Sequence, residues 1–269
     1  MSDRLNKKFQ QLKEQDKRAF VSYQMACDPD YKTSLDLMKE FASSGVNIIE
    51  LGMPFSDPMA EGPAIQKAAK RSLQNECNLD IIFKLLKDFR EGDKDTPVIL
   101  MGYYNPVFSY GVEKFMKAAL EAGADGFIIV DLPPEEEEEL TRYSKIYNLP
   151  LIKLTTPTTD EQRAEKILQN SGGFVYHVSV AGVTGQKEAV KELISSKIDM
   201  LRNKTDLPIC TGFGIKTPEA AKDIAEICDG IVIGSAFVRI IEDNLNKPEK
   251  IISLSGELAA KVRKAIDEI

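Results

Sequence analysis

Two carboxylates, Glu50 and Glu61, stand on either side of the segment LGMPFSDPMA within IIELGMPFSDPMAEGPAIQ (48–66). The mostly apolar run 46–51 reads as a buried strand with Glu50 near its far end. Gly52, Pro54, Ser56, Asp57 and Pro58 make the loop that follows, and Pro63 suits the first position of a helix. An acid inside an apolar strand is costly to bury unless it is paired, protonated or functional. One carboxylate held on a strand and a second on the next loop could work as an acid/base pair. The same residues also fit a plainer reading, in which Glu50 ends a strand at the surface and Glu61 caps a helix. Local chemistry does not choose between the two.

The elements that would position these groups repeat along the chain. Apolar strand candidates are 20–23, 46–51, 97–102, 126–130, 151–154, 174–178, 208–211 and 230–233. Helical patterns fall at 4–17, 32–44, 63–74, 81–90, 112–122, 135–147, 160–170, 187–197, 218–227, 236–241 and 249–268. Strands that are apolar on both faces and alternate with helices imply a parallel sheet covered by helices. Their number and the chain length fit a closed (β/α)8 (TIM) barrel with an extra N-terminal helix and extra helices. A doubly wound open sheet is the competing arrangement. No stretch reads as a linker, so 1–269 is expected to form one domain. The run Glu135 to Glu139, after Pro133-Pro134, reads as a solvated helix start, where acidic residues suit the helix dipole.

Composition narrows the function classes. The chain has 269 residues, 43% of them hydrophobic and 29% charged, and its net charge is −7 from 35 basic and 42 acidic side chains. Interspersed charges with an acidic balance argue against nucleic acid as a partner, though not against an anionic ligand held by backbone groups. No apolar run approaches the roughly 20 residues of a membrane span, and the N-terminus lacks a signal-peptide core. Cys27, Cys77, Cys210 and Cys228 show no CxxC spacing, and with a single histidine no metal site is expected. Buried free thiols in a reducing cytoplasm are expected. Carboxylates, tyrosines, lysines and backbone groups must then carry most of the chemistry.

In a barrel, function belongs at the C-terminal ends of the strands and in the loops after them. Glu50 ends the second strand, and Tyr103, Tyr104 and Asn105 follow the third. Asp131 follows the fourth, the segment 155–159 the fifth and AGVTG (181–185) the sixth. Two glycine-bearing stretches come later: GFG (212–214) after the seventh strand, and Gly234-Ser235 after the eighth, entering a helix. Such stretches let backbone amides approach a phosphate, and barrels often hold phosphate after strands seven and eight.

ELGMPFSDPMAEGPAIQ closely resembles the signature of the tryptophan synthase alpha chain. MGYYNP, VDLPPEE, TPTT, GVTG, GFGI and GSAFVRII follow in that family's order, so the resemblance spans the chain from Phe20 to about Ile241. It implies a (β/α)8 barrel that cleaves indole-3-glycerol phosphate to indole and glyceraldehyde 3-phosphate without a cofactor. It also implies a cytoplasmic alpha-beta-beta-alpha heterotetramer, with pyridoxal phosphate carried by the beta chain. By motif position Glu50 and Glu61 match the catalytic acids. Tyr176 matches the tyrosine at the end of strand six, and Gly185, Gly214, Gly234 and Ser235 match the phosphate-binding backbone. Indole would lie among Tyr23, Met101, Tyr103, Tyr176, Thr184 and Phe213. Tyr23, Met101 and Phe213 fit core packing equally well. Val183 and Thr184 would belong to a mobile lid.

Several positions depart from the family pattern. Glu61 stands where aspartate is usual, and one methylene moves a carboxylate by about 1 Å, enough to cost about a hundredfold in rate if uncompensated. Ser22, Met25 and Cys27 replace the usual residues near strand one, and Val180 replaces a loop arginine. His177 replaces an apolar or aromatic residue and reads as packing. Lys153, inside strand five, has no role legible in the sequence. Three alternatives remain beside a catalytic alpha chain. One is a degraded barrel kept to activate a beta chain, and another is a lyase releasing free indole. The third is a different phosphosugar enzyme, for which Lys153 is the only strand lysine an aldolase could use.

Overall fold

Two separate sets of apolar side chains define the architecture, and strand alternation produces both. Along β1 (Ala19–Met25), β2 (Ile48–Gly52), β3 (Val98–Gly102), β4 (Gly126–Ile129), β5 (Lys153–Thr155), β6 (Val175–Val178), β7 (Ile209–Gly212) and β8 (Gly230–Ile233), one set of alternate residues packs together inside. It contains Val21, Ile48, Ile99, Ile128, Cys210 and Val232. Their neighbours, such as Phe20, Ile49, Leu100, Phe127 and Ile231, join a larger cluster with the helices. Residues one apart on a strand face opposite ways, so a sheet apolar on both faces must be covered on both.

The computed structural model describes residues 3–179, 187–212 and 214–269. All the strand pairs are parallel, in the order β4-β3-β2-β1-β8-β7-β6-β5. The ends of that order meet through a parallel bridge between Phe127 and Leu151. There the Phe127 amide donates to Pro150 (3.0 Å) and the Ile152 amide to Phe127 (2.9 Å). The sheet is therefore a closed barrel with a thin β4–β5 seam, as expected for the (β/α)8 pattern.

Outside it run α1 (Asp3–Glu14), α2 (Tyr31–Ser43), α3 (Pro63–Gln74), α4 (Leu79–Gly92), α5 (Tyr104–Tyr110) and α6 (Val112–Ala122). The second half adds α7 (Glu138–Tyr147), α8 (Glu161–Leu168), α9 (Lys187–Arg202), α10 (Pro218–Ala225), α11 (Ser235–Asp243) and α12 (Pro248–Ile266). Among the described residues none of these is long and apolar enough to cross a membrane. Helix α1 closes the N-terminal end of the barrel. Its Leu5 and Leu12 join the interior cluster, and Phe9 packs on Phe174 with ring centroids 5.8 Å apart. Arg4 donates to Asp125 (2.8 Å), which also accepts from Arg90 and the Val98 amide.

Two expectations change here. Tyr104 and Asn105 do not lie in a loop, because they open α5. Pro106 is tolerated because the first amides of a helix have no intrahelical acceptor. The Glu135–Glu139 run is not uniformly a solvated helix start. A 3-10 turn at Pro134–Glu136 precedes α7, and between them Glu137 is only 2% exposed and forms an ion pair with Lys153. Lys153 points outward from β5, under α7, with burial lowering its ammonium to about 8 against the pull of Glu135. That pair gives Lys153 a structural partner. All four cysteines are free and buried.

Candidate active site at the C-terminal mouth

Glu50 points into the barrel. It lies opposite Tyr23 of β1 and Ile99 of β3, and it is 1% exposed. Its Oε1 has no hydrogen-bond partner among the described residues. Burial, and after it the charge of Glu61, pushes the carboxyl up to about 8. At 1% exposure Glu50 is not a solvated strand end, and its burial favours the neutral form that can give a proton.

Glu61 is half-buried above the same mouth, and burial pushes its carboxyl up as well. It does not cap α3. The N-cap is Gly62, with no side-chain cap bond, and Glu61 is held by its backbone. Its amide donates to Pro58 (3.1 Å) and its carbonyl accepts from Gln66 (2.9 Å). Its carboxylate is left to face the chamber.

Three tyrosines surround the acids. Burial raises the phenols of Tyr23 and Tyr176, and both carboxylates add to the effect in each case. Glu61 is the larger charge at Tyr23, and Glu50 the larger at Tyr176. The rings need space that only glycine leaves. A Cβ on Gly52 would sit 2.5 Å from the Tyr23 hydroxyl, and one on Gly212 would sit 2.6 Å from that of Tyr176. Tyr103 fixes the loop between the acids. Its hydroxyl accepts from the Ala60 amide at 2.9 Å, and its ring packs on Phe55. Met101 lines the same chamber, in contact with both the interior cluster and that of Tyr23.

Opposite β1, Gly234 and Ser235 begin α11. Gly234 is its N-cap and lies close enough to Tyr23 that a Cβ would come within 3.2 Å of that ring's Cβ. The first α11 amides therefore open beside the chamber, where an anion would be favoured. Gly214, after β7, has φ +57, a conformation glycine adopts without penalty.

The family model for the tryptophan synthase alpha chain matches residues 9–267. The chain belongs to that family. Its fold is similar to tryptophan synthase subunit alpha from Legionella pneumophila str. Paris, at 39% identity over 99% of both chains and a TM-score of 0.92. It also resembles a tryptophan synthase structure from M. tuberculosis (30% identity, 97% of this chain and 99% of that one, TM-score 0.85). A tryptophan synthase complex from Pyrococcus furiosus matches at 30% identity, over 91% and 98% of the two chains, with a TM-score of 0.82. The tryptophan synthase alpha family is a lyase of tryptophan biosynthesis acting on indole-3-glycerol phosphate.

Of the alpha-chain residues singled out in the sequence, Thr184, Phe213 and Gly185 lie outside the described residues, as do Val180 and Val183. Glu50, Glu61, Tyr23, Met101, Tyr103 and Tyr176 converge on one mouth, with Gly214, Gly234 and Ser235 at its rim. His177 does not join them. It faces outward from β6, its Nδ1 lies 3.1 Å from Thr155 Oγ1, and burial lowers it to about 4, so it stays neutral. No cluster of metal-ligating side chains occurs among the described residues.

A brace that the sequence does not announce supports Glu61 from behind. Arg71 of α3 donates through Nε and Nη2 to Asp28 (2.7 and 2.8 Å), while Ser72 donates to the Ala26 carbonyl and Asn75 to that of Cys27. These bonds fix the helix that begins just after Glu61 to the β1–α2 loop. The partners are far apart in sequence, and no local pattern links them.

Proposed function

We propose that this chain cleaves indole-3-glycerol phosphate with Glu50 as the proton carrier and Glu61 as the group that binds and stabilises the indole ring. The observation that carries the reading is a carboxyl buried, unpaired at Oε1 and pushed up to about 8 at the mouth of a barrel. Neutral Glu50 protonates indole C3. Glu61, as the carboxylate, accepts the indole N–H and stabilises the developing indolenine cation. The bond from C3 to the glyceryl carbon then breaks, and its electrons return to the ring. Glu50, now ionised, takes the proton from the hydroxyl on that carbon as the aldehyde forms, and so regains its starting state. Because the protonated form starts the cycle, turnover falls as pH rises through about 8.

Indole packs among Tyr23, Met101, Tyr103 and Tyr176; for Thr184 and Phe213, outside the described residues, the same role is what the family resemblance implies. The phosphate is held by backbone amides at Gly214, Gly234 and Ser235; for Gly185, outside the described residues, that role is what the family resemblance implies. These steps need no cofactor, and pyridoxal phosphate belongs to the beta chain. A beta-chain partner in an alpha-beta-beta-alpha heterotetramer is supported by the likeness to a tryptophan synthase complex. Met59 (79% exposed), on the loop after β2, and Phe108 (62% exposed), on α5, suit a covered face. The setting is the cytoplasm.

The test is indole release from indole-3-glycerol phosphate by the chain with and without a beta chain, beside Glu50→Gln and Glu61→Ala. Activity that rises with the beta chain and disappears in both variants supports the reading. Full activity in Glu50→Gln refutes it. Strong turnover without any beta chain indicates a free lyase, and no turnover with enhanced beta-chain activity indicates a binding partner only.

A further inference from the structure

We propose that His177 ties the C-terminal ends of β5, β6 and β7 together, through Thr155 on one side and a single trapped water on Thr211 on the other, and so positions Tyr176 over Gly212. The inference rests on the reading of Tyr176 as a wall of the indole pocket, and it adds a positioning residue on the opposite face of the sheet.

Strand alternation sets three polar side chains in a row. Val175 packs in the outer cluster and Tyr176 in the inner one, so His177 returns to the outer face. Thr211 does the same after Ile209 and Cys210. Register places His177 directly beside Thr155 of β5 and Thr211 of β7, and all three are 1% exposed or less. His177 Nδ1 lies 3.1 Å from Thr155 Oγ1. His177 Nε2 and Thr211 Oγ1 are both buried, and neither has a hydrogen-bond partner among the described residues. Buried polar atoms ordinarily have a partner, either protein or ordered water. Neighbouring strands lie about 4.8 Å apart, a gap that one water spans with two hydrogen bonds. A neutral imidazole has one donor and one acceptor nitrogen, so it can serve a partner on each side. Burial keeps this ring neutral, and the charge of Lys197 on α9 adds to the effect.

The row stands back to back with the seat of Tyr176. Tyr176 is the residue before His177, and Gly212 is the residue after Thr211. Register pairs Tyr176 with Cys210, yet its hydroxyl reaches up to Gly212, where a Cβ would come within 2.6 Å. The height of β6 relative to β7 therefore decides where that hydroxyl lands. The His177–Thr211 link joins the same two strands between the levels of Cys210 and Gly212, and it fixes that height.

His177 is the only histidine in the chain, so its ring signals need no assignment. The experiment is ring-nitrogen NMR of the histidine-labelled full chain, for wild type, Thr211→Val and Thr211→Ser, beside indole release with the beta chain. The wild-type ring should receive magnetisation from a long-lived water. Thr211→Val should shift Nε2 more than Nδ1 and abolish that transfer, and Thr211→Ser, which keeps the hydroxyl, should restore both. In parallel, kcat/KM should fall about tenfold in Thr211→Val and recover in Thr211→Ser. In a Tyr176→Phe background the same substitution should cost little, because the hydroxyl being positioned is gone. An unmoved Nε2 in Thr211→Val, or no bound water in the wild type, overturns the link. An equal loss of kcat/KM with and without the Tyr176 hydroxyl overturns the positioning role. The NMR needs no turnover, so its result stands apart from the fate of the catalytic reading, which Glu50→Gln decides.

Discussion

Replacing Glu50 by glutamine should make the folded chain more stable, by an amount that grows with pH. A carboxyl at 4.5 when unfolded and about 8 when folded binds its proton more tightly in the native state. It therefore supports folding fully only below pH 4.5, and the unfolded chain gains progressively as pH rises towards 8. The shift of about three and a half units corresponds to about 5 kcal/mol when fully expressed, above pH 8. At pH 7 the two-state linkage gives about 3 kcal/mol, and at pH 5 about 1 kcal/mol. Glutamine has the same shape and never ionises, so the variant escapes this penalty. Urea unfolding of wild type and Glu50→Gln at pH 5, 7 and 9 measures the gap. Any constant difference from the amide's own hydrogen bonding cancels in the comparison across pH. A gap that stays flat from pH 5 to pH 9 would mean that Glu50 titrates near 4.5 in the folded chain. That outcome would refute the argument that burial keeps it protonated.

Gly212→Ala places a Cβ 2.6 Å from the Tyr176 hydroxyl and should expel that ring from the mouth. Indole release should fall by about a hundredfold, with a loss of about 1–3 kcal/mol in urea unfolding. Unchanged kcat/KM would show that Tyr176 does not need this seat. Lys153→Met leaves Glu137 buried with, among the described residues, only Asn170 donating to it (3.1 Å), and stability should drop by about 3–5 kcal/mol. Adding Glu137→Gln should recover most of that loss in the same unfolding measurement, and failure to recover it would deny the pair its role.

The strands and the long helices were legible because each must bury apolar residues at a regular period. All eight strand segments were placed within about two residues of their ends. Glu50 was not decided by its neighbours. An acid at the fourth or fifth position of an apolar run looks the same whether the strand ends in solvent or continues upward inside a closed barrel. Closure is a property of the whole sheet. Helix α5 was hidden by Asn105-Pro106 and Gly111, a turn-like pattern that a first-turn proline and a glycine helix end satisfy equally well. The Glu137–Lys153 pair was hidden for a different reason. Within a run of five glutamates nothing in the sequence distinguishes the one that tertiary packing turns inward. The Arg71–Asp28 brace likewise joins residues whose proximity arises only once β1 and α3 are adjacent. Phe213, Val183 and Thr184 lie outside the described residues.

Helix α1 gives the barrel a floor. Leu5, Phe9 and Leu12 stop its lower end, and Arg4 fastens the stopper to Asp125. Among the described residues the N-terminal end of the barrel is therefore stopped, and the acids lie at its other end. Exchange with the acids is then left to the C-terminal side, where Met59 and Phe108 are exposed. Whatever settles on that side decides which molecule leaves first and in which direction it goes. A freed indole meets the occupant of that side before it meets bulk water.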